Sequence, residues 1–189
     1  MLRAFLQIGA WLPLSALQLL AKLWGLYLYR FPTKAKLVTR KNLTACFRAK
    51  TKAEIEIMTH ASLTSTACTI LEMGKSWLPS MAKSLELVTE SDGEENFFAA
   101  TTSEHGVILL APHIGNWEIF AFYLCEKLKS TWLYQPPEFK LMDQFITKTR
   151  SRAGIKMAPT DRIGVSQVLA ALRRGEVVGI LPDQIPPAE

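Results

Sequence analysis

Apolar residues dominate the chain from Ala4 to Tyr29, where Leu14, Leu17, Leu20, Ala21, Trp24 and Leu28 fall at helical spacing. Gln7, Pro13, Gln18 and Lys22 interrupt that stretch, so it falls short of the roughly 20 nearly unbroken apolar residues that a spanning helix needs. The pattern predicts an N-terminal membrane-anchor helix over residues 1–30, spanning the bilayer or lying in its interface. Residues 50–79 read as a scaffold helix: Thr51 and Glu54 have the spacing of a capping box, Ile55, Met58, Leu63, Ile70 and Leu71 supply apolar positions, and Pro79 stops the run. Leu85 to Thr89 reads as a short strand, and Ser91 to Glu95 as a polar turn opening a short helix through Phe97 and Phe98. From Gly106 the pattern changes. Gly106 to Ala111 and Glu176 to Leu181 are short continuous apolar runs bounded by turn signals, the mark of strands buried on both faces. Thr131 to Tyr134 predicts a third strand, and helices are expected over 116–129, 140–152 and 162–174, the last stopped by Gly175. Strands alternating with helices imply an α/β layered fold, a mostly parallel sheet flanked by helices, preceded by an N-terminal apolar helix.

Charge sharpens this picture once it is located. The formal net charge is +5, but residues 1–53 hold ten Lys or Arg and no Asp or Glu, so the remainder carries −5. Trp24, Tyr27 and Tyr29 followed by Arg30, Lys34, Lys36, Arg40 and Lys41 resemble an aromatic belt meeting a cytoplasmic basic flank. A nucleic-acid binder would instead repeat its positive charge along a recognition element, and none is expected here. The apolar run ends in aromatic and basic residues rather than at small residues, which disfavours a cleaved signal peptide. Cys46, Cys68 and Cys125 are odd in number, widely spaced and without a CxxC pair, which points to reduced core thiols rather than a disulfide framework or a zinc site. There is no P-loop and no dinucleotide glycine fingerprint, so neither a metal nor a nucleotide cofactor is indicated.

Candidate chemistry lies in Ala111-Pro-His-Ile-Gly-Asn-Trp-Glu118. His113 follows a predicted strand, and Gly115 and Asn116 turn the chain into a helix, which puts the imidazole at the C-terminal edge of the sheet, where ligands of open α/β folds bind. On one continuous helix His113 and Glu118 would stand about 140° apart, but the turn lets the histidine fold back toward the first helical turn. A carboxylate that orients an imidazole, which in turn takes a proton from a substrate hydroxyl, needs no protein nucleophile. The spacing alone is also compatible with a capping or core histidine. His60 and His105 read as structural or solvated.

Together these segments resemble the bacterial lipid A biosynthesis acyltransferases, the late or secondary acyltransferases of lipopolysaccharide synthesis. The likeness runs through Asn42-Leu-Thr-Ala-Cys-Phe47, the segment ending in Gly115-Asn-Trp-Glu118, Arg150-Ser-Arg-Ala-Gly154, and Leu172-Arg-Arg-Gly-Glu-Val-Val-Gly-Ile-Leu-Pro-Asp-Gln184. It implies a glycerolipid-acyltransferase-like fold at the cytoplasmic face of the bacterial inner membrane. It also implies transfer of a fatty acyl group from acyl carrier protein to a hydroxyl of a lipid A precursor. In that setting His113 is the general base and Glu118 its orienting partner. Asn116 and the amides near Gly115 are candidate oxyanion or substrate donors. Arg150 faces a phosphate or the oxyanion, with Arg152 as its alternative, and Asp183 positions substrate or Arg150. Lys148, Arg150, Arg152 and Lys156 are a candidate basic patch for the acidic carrier.

Two departures qualify the resemblance. No arginine follows Tyr134 in Tyr134-Gln-Pro-Pro137, and the family's chains usually continue well beyond the length seen here, so residues 31–189 read as an acyltransferase domain truncated at its C-terminal end. Competing readings are an acyltransferase for another glycolipid or a glycerophosphate, and an inactive membrane-bound lipid-binding fragment. The glycerolipid enzymes' N-H-x4-D pattern is disfavoured by Pro112 before His113 and by Glu118 as the carboxylate.

Overall fold

The computed structural model describes residues 2–103 and 105–183, so Gln184, the last residue of the family-like closing segment, lies outside the described residues. The chain divides into two compact units, Met1–Leu78 and Pro79–Glu189, a boundary well past the residue-30 division expected from the apolar pattern.

The first unit is helical. It comprises α1 (Leu2–Trp11), α2 (Leu14–Arg30), α3 (Lys34–Cys46) and α4 (Lys52–Trp77), and the three shorter helices pack on α4. The single N-terminal apolar helix expected over 1–30 does not form. Pro13 cannot donate a helical N–H and disfavours helical backbone in the residue before it, so α1 ends at Trp11 and α2 starts afresh at Leu14. Among the described residues no helix is long and apolar enough to cross a membrane. The capping box of α4 is present, with Thr51 Oγ1 accepting from the Glu54 amide and the Glu54 carboxylate accepting from the Thr51 amide at 2.8 Å. Lys50 and the Thr51 groups hold the Glu54 carboxyl down to about 2. Where α1 crosses α4, Gly9 meets Gly74 so closely that a Cβ on Gly74 would lie 2.3 Å from the Leu6 carbonyl oxygen. The helix α3 was not legible in the sequence, because Lys, Arg, Thr and Asn break up its few apolar positions and it buries none of its residues. Its supports are the Thr33 cap, Arg40 paired with Glu56 at 3.3 Å, and Lys36 over the Tyr29 ring.

The second unit is the layered α/β part. Two short helices, α5 (Met81–Leu85) and α6 (Glu94–Thr101), precede β1 (Val107–Leu110), α7 (Trp117–Lys127), β2 (Ser130–Tyr134), α8 (Lys140–Ser151), β3 (Ile155–Pro159), α9 (Arg162–Arg173) and β4 (Val177–Ile180). The described strands form one parallel sheet in the order β1-β4-β2-β3. On one face Val178, Ala158, Leu133 and Ile180 pack against Val168, Ala171 and Leu172 of α9. On the other, Ala121 of α7 shares a void with Trp132, and Cys125 of α7 meets Ser130 at 2.6 Å.

Three expectations are corrected here. Leu85–Thr89 is not a strand: Ser80 caps the Lys83 amide and winds residues 81–85 into α5. β1 is not buried on both faces, because β4, the latest in sequence of the described strands, lies between β1 and β2 and leaves β1 at the edge of the described sheet, with Ile108 53% and Leu110 63% exposed. Cys46 is no core thiol, since it is exposed at the end of α3, whereas Cys125 is buried.

Candidate active site

The backbone turn after β1 builds the site. Ala111 extends the ladder by donating to Ile180 at 2.9 Å, and the Ile114 amide closes a tight turn onto the Pro112 carbonyl at 2.8 Å. Gly115 then takes φ +57, a left-handed conformation natural to glycine, and Asn116 caps α7 by accepting from the Ile119 amide. This turn leaves His113 outside the helix and brings Glu118 into its first turn, where the helix dipole favours a carboxylate.

His113 and Glu118 each have an anionic or cationic partner, but those partners are exchanged relative to expectation. β1 and β4 are parallel neighbours, so the loops at their C-terminal ends are adjacent, and Asp183 reaches His113 across 70 positions of sequence. One Asp183 oxygen lies 2.8 Å from His113 Nδ1, and the other accepts the His113 backbone N–H at 2.8 Å. Both ring and backbone are thereby gripped by one carboxylate. His113, through its side chain first and its amide second, holds the Asp183 carboxyl below its ordinary range. An ionised Asp183 accepts, so Nδ1 carries the proton and Nε2 is the basic nitrogen. The Trp117 ring meets the imidazole edge-on, with centroids 4.8 Å apart.

Glu118 is paired with Arg150 of α8. Its carboxylate, 2% exposed, takes Arg150 Nη2 at 2.5 Å and Nε at 3.1 Å, a bidentate fork that ties α7 to α8. The expectation that Glu118 itself orients His113, and that Asp183 positions Arg150, is therefore not the arrangement of these hydrogen bonds. Beside the buried pair lies a void of about 20 Å³ lined by Trp117, Trp132, Leu133 and Leu181 among others, which has room for about one water. Trp132 can lie there because its strand partner on β4 is Gly179, where an added Cβ would come within 2.3 Å of the indole ring.

The expected basic patch is not a set of four equivalent cations. Arg150 is engaged by Glu118, and Arg152 donates to the Pro79 carbonyl at 3.3 Å. His60 lies on α4 with its ring 5.1 Å from that of Tyr29, and His105 is exposed ahead of β1. The sequence did not single out Trp117 or the Asp183–His113 bond. Its usable signal was Asp183 itself, an acidic residue just past the apolar strand run and the proline that ends it.

A parallel α/β sheet with a histidine and acidic groups gathered at the C-terminal ends of its strands is the framework of an enzyme-like ligand site. Comparison with known proteins makes the class specific. The sequence model for bacterial lipid A biosynthesis acyltransferase matches residues 1–186, and the chain belongs to that family. It is 26% identical over 175 residues to the lipid A biosynthesis palmitoleoyltransferase of Escherichia coli K12, covering 92% of this chain and 56% of that protein. A lipid A biosynthesis acyltransferase of Shigella flexneri matches to the same extent. The lipid A biosynthesis lauroyltransferase of Escherichia coli K12 is 26% identical over 155 residues, 82% of this chain and 49% of its own length. The chain thus spans about half the length of the curated relatives it matches.

Proposed function

We propose that this chain carries the catalytic segment of an acyltransferase that moves a fatty acyl group from acyl carrier protein to a hydroxyl of a lipid A precursor, at the cytoplasmic face of the bacterial inner membrane. Family membership supports the acyl-transfer class, and the names of its relatives support the lipid A acceptor. The single observation that carries the mechanism is His113 held by Asp183 through both ring and backbone.

With Nδ1 fixed by the carboxylate, Nε2 of His113 takes the proton of the acceptor hydroxyl as its oxygen attacks the thioester carbonyl. The new C–O bond forms and leaves a tetrahedral oxyanion, for which Asn116 and amides of the Gly115 turn are the donors nearest in sequence. Collapse breaks the C–S bond, and the imidazolium returns its proton to the departing carrier thiolate. Asp183 stabilises the imidazolium between those two transfers. Glu118 and Arg150 act through the start of α7, which they lock in place beside Trp117, rather than through the proton. No cofactor enters this scheme, and the carrier thioester is the acyl donor.

The test is transfer of a radiolabelled acyl group from carrier thioester to a lipid A precursor, comparing the natural protein with His113→Ala. The variant is expected to lose about 10²–10⁴-fold in rate, the usual contribution of a general base, with unchanged thermal stability. Equal rates in the two proteins would remove His113 from the chemistry. Lipid binding by the natural protein without transfer would favour the reading of an inactive lipid-binding chain.

A further inference from the structure

A cavity of about 330 Å³ opens among β1, α6, α7 and the loop that leads into α6, and it shares no lining residue with the void beside Glu118 and Arg150. Its volume falls in the range of small-molecule sites. Val88, Phe97, Leu109, Phe120 and Leu124 give it an apolar wall, and Phe120 is left 42% exposed in doing so. A hollow of this kind, open to water, gains by taking up hydrocarbon.

The charged lining is of one sign. Glu90, Asp92 and Glu94 contribute carboxylates, and no Lys or Arg lines the cavity. These acids belong to residues 86–95, which hold five Asp or Glu and no Lys or Arg, as much negative charge as the whole net −5 of the chain beyond residue 53. Glu94 is tied in place by the Tyr123 hydroxyl and by Ser91 Oγ, which donates to it at 3.3 Å. Glu90 and Asp92 are exposed and enter no ion pair among the described residues. Among those residues no three acidic, His or Cys side chains converge to hold a metal ion, so the carboxylates are spread along a rim rather than gathered round a point. Such a rim over an apolar hollow suits a cation with a hydrocarbon body: the charge stays at the wet mouth, where it keeps its hydration, and the body is buried. Phe97, Phe120 and Tyr123 add aromatic rings, whose faces attract cations.

We propose that this cavity binds a small primary alkylammonium ion, with the ammonium beside Glu90 and Asp92 at the rim and the hydrocarbon against Leu109, Phe120 and Leu124. Its lining includes neither His113 nor Asp183, and its occupation is read without any acyl transfer, so it stands or falls apart from the proposed reaction.

The whole chain, in a maltoside detergent held at one concentration, is titrated with hexylammonium, butylammonium and hexanol while the amide resonances of Leu109, Phe120 and Tyr123 are followed. Hexylammonium should shift all three and bind about tenfold more tightly than butylammonium, which lacks two of its methylenes. It should also bind about tenfold more tightly than hexanol, and its binding should weaken with added salt. The double variant Glu90→Gln/Asp92→Asn should lose about tenfold for hexylammonium and nothing for hexanol, with the thermal stability of the natural protein, since both side chains are exposed. Phe120→Ala should weaken both ligands; should that variant fail to fold, the double variant still decides the matter. Absence of shifts at these amides overturns the proposal. Equal affinity for the two ammonium ions overturns it as well, since the carboxylates would then only gather cations at the surface, and so does equal affinity for hexanol and hexylammonium, which would leave charge no part. Displacement of hexylammonium by micromolar magnesium would make the rim a metal site, and tighter binding of a capped lysine than of hexylammonium would make a protein side chain the occupant; either result defeats the assignment.

Discussion

Two charged pairs serve the same short turn, yet they sit in opposite environments. His113 and Asp183 keep side-chain exposures of 24% and 38%, whereas Glu118 is 2% exposed and its partner Arg150 21%. The first pair joins two loops at the C-terminal ends of neighbouring strands, and the second joins two helices. Solvent screens the exposed pair, so its contribution to folding is small, and the role proposed for it is to fix a tautomer. Burial makes the other pair costly to break, because either charge alone would be stranded in a poorly hydrated site. A catalytic role and a structural role can therefore be separated by what mutation does to rate and to stability.

The largest expected effect on stability is at Glu118. Glu118→Gln leaves the Arg150 guanidinium beside a neutral amide in a site with room for about one water, and should lower unfolding free energy by about 3 kcal/mol, the low end for a broken buried pair because Arg150 keeps some water contact. Chemical denaturation measures this directly. The double variant Glu118→Leu/Arg150→Met removes both charges and should recover most of that stability, as paired apolar replacements of buried ion pairs do. If the single variant were as stable as the natural protein, the buried pair would not be the clamp described. If the double variant regained stability and full transfer, both residues would be pure scaffold.

Asp183→Asn is expected to reverse the pattern. An amide can present its N–H to Nδ1, which places the proton on Nε2 and leaves no basic nitrogen aimed at the acceptor. Transfer should fall by about 10²-fold or more, while denaturation midpoints barely move, since the replaced group is exposed and screened. A large loss of stability with modest loss of rate would place Asp183 with the structural pair instead.

The sequence made the strands β1, β2 and β4 and the helices around them legible, because their apolar runs and their Gly and Pro stops are local signals. β3 escaped, since Lys156 breaks its apolar run and Pro159 ends it, so the pattern of Ile155-Lys-Met-Ala-Pro159 resembles a loop. The position of β1 at the edge was equally hidden: strand order is set by how the chain crosses over, and apolar Ile108 and Leu110 look the same in an edge strand as in a central one. The same limit governs the site. His113 and Glu118 stood out by their position and Arg150 and Asp183 through the family resemblance, but which carboxylate meets which cation depends on β4 entering beside β1, a contact 70 residues long in sequence. Nearness in sequence favoured Glu118 for His113, and sheet order favoured Asp183.

The smallest expected effect concerns acid. His113 holds the Asp183 carboxyl below its ordinary value, so the folded protein binds that proton less readily than the unfolded chain. The stability associated with Asp183 is therefore fully present above the carboxyl's unfolded pKa and is lost only as pH falls through the lower folded one. Lowering the pH from neutrality to just above the ordinary carboxylate range should leave the His113–Asp183 bond intact, so the His113 amide resonance, which reports its bond to the second Asp183 oxygen, should not shift on account of Asp183 over that interval. The Asp183 side-chain carbon should titrate with a midpoint below that of an aspartate in a short peptide. In His113→Ala the side-chain bond disappears and the backbone bond remains, so the midpoint should rise toward the ordinary value without reaching it. A midpoint at the peptide value in the natural protein would mean that the carboxylate does not grip the imidazole, and the distinction between an exposed orienting pair and a buried clamping pair would lose its first member.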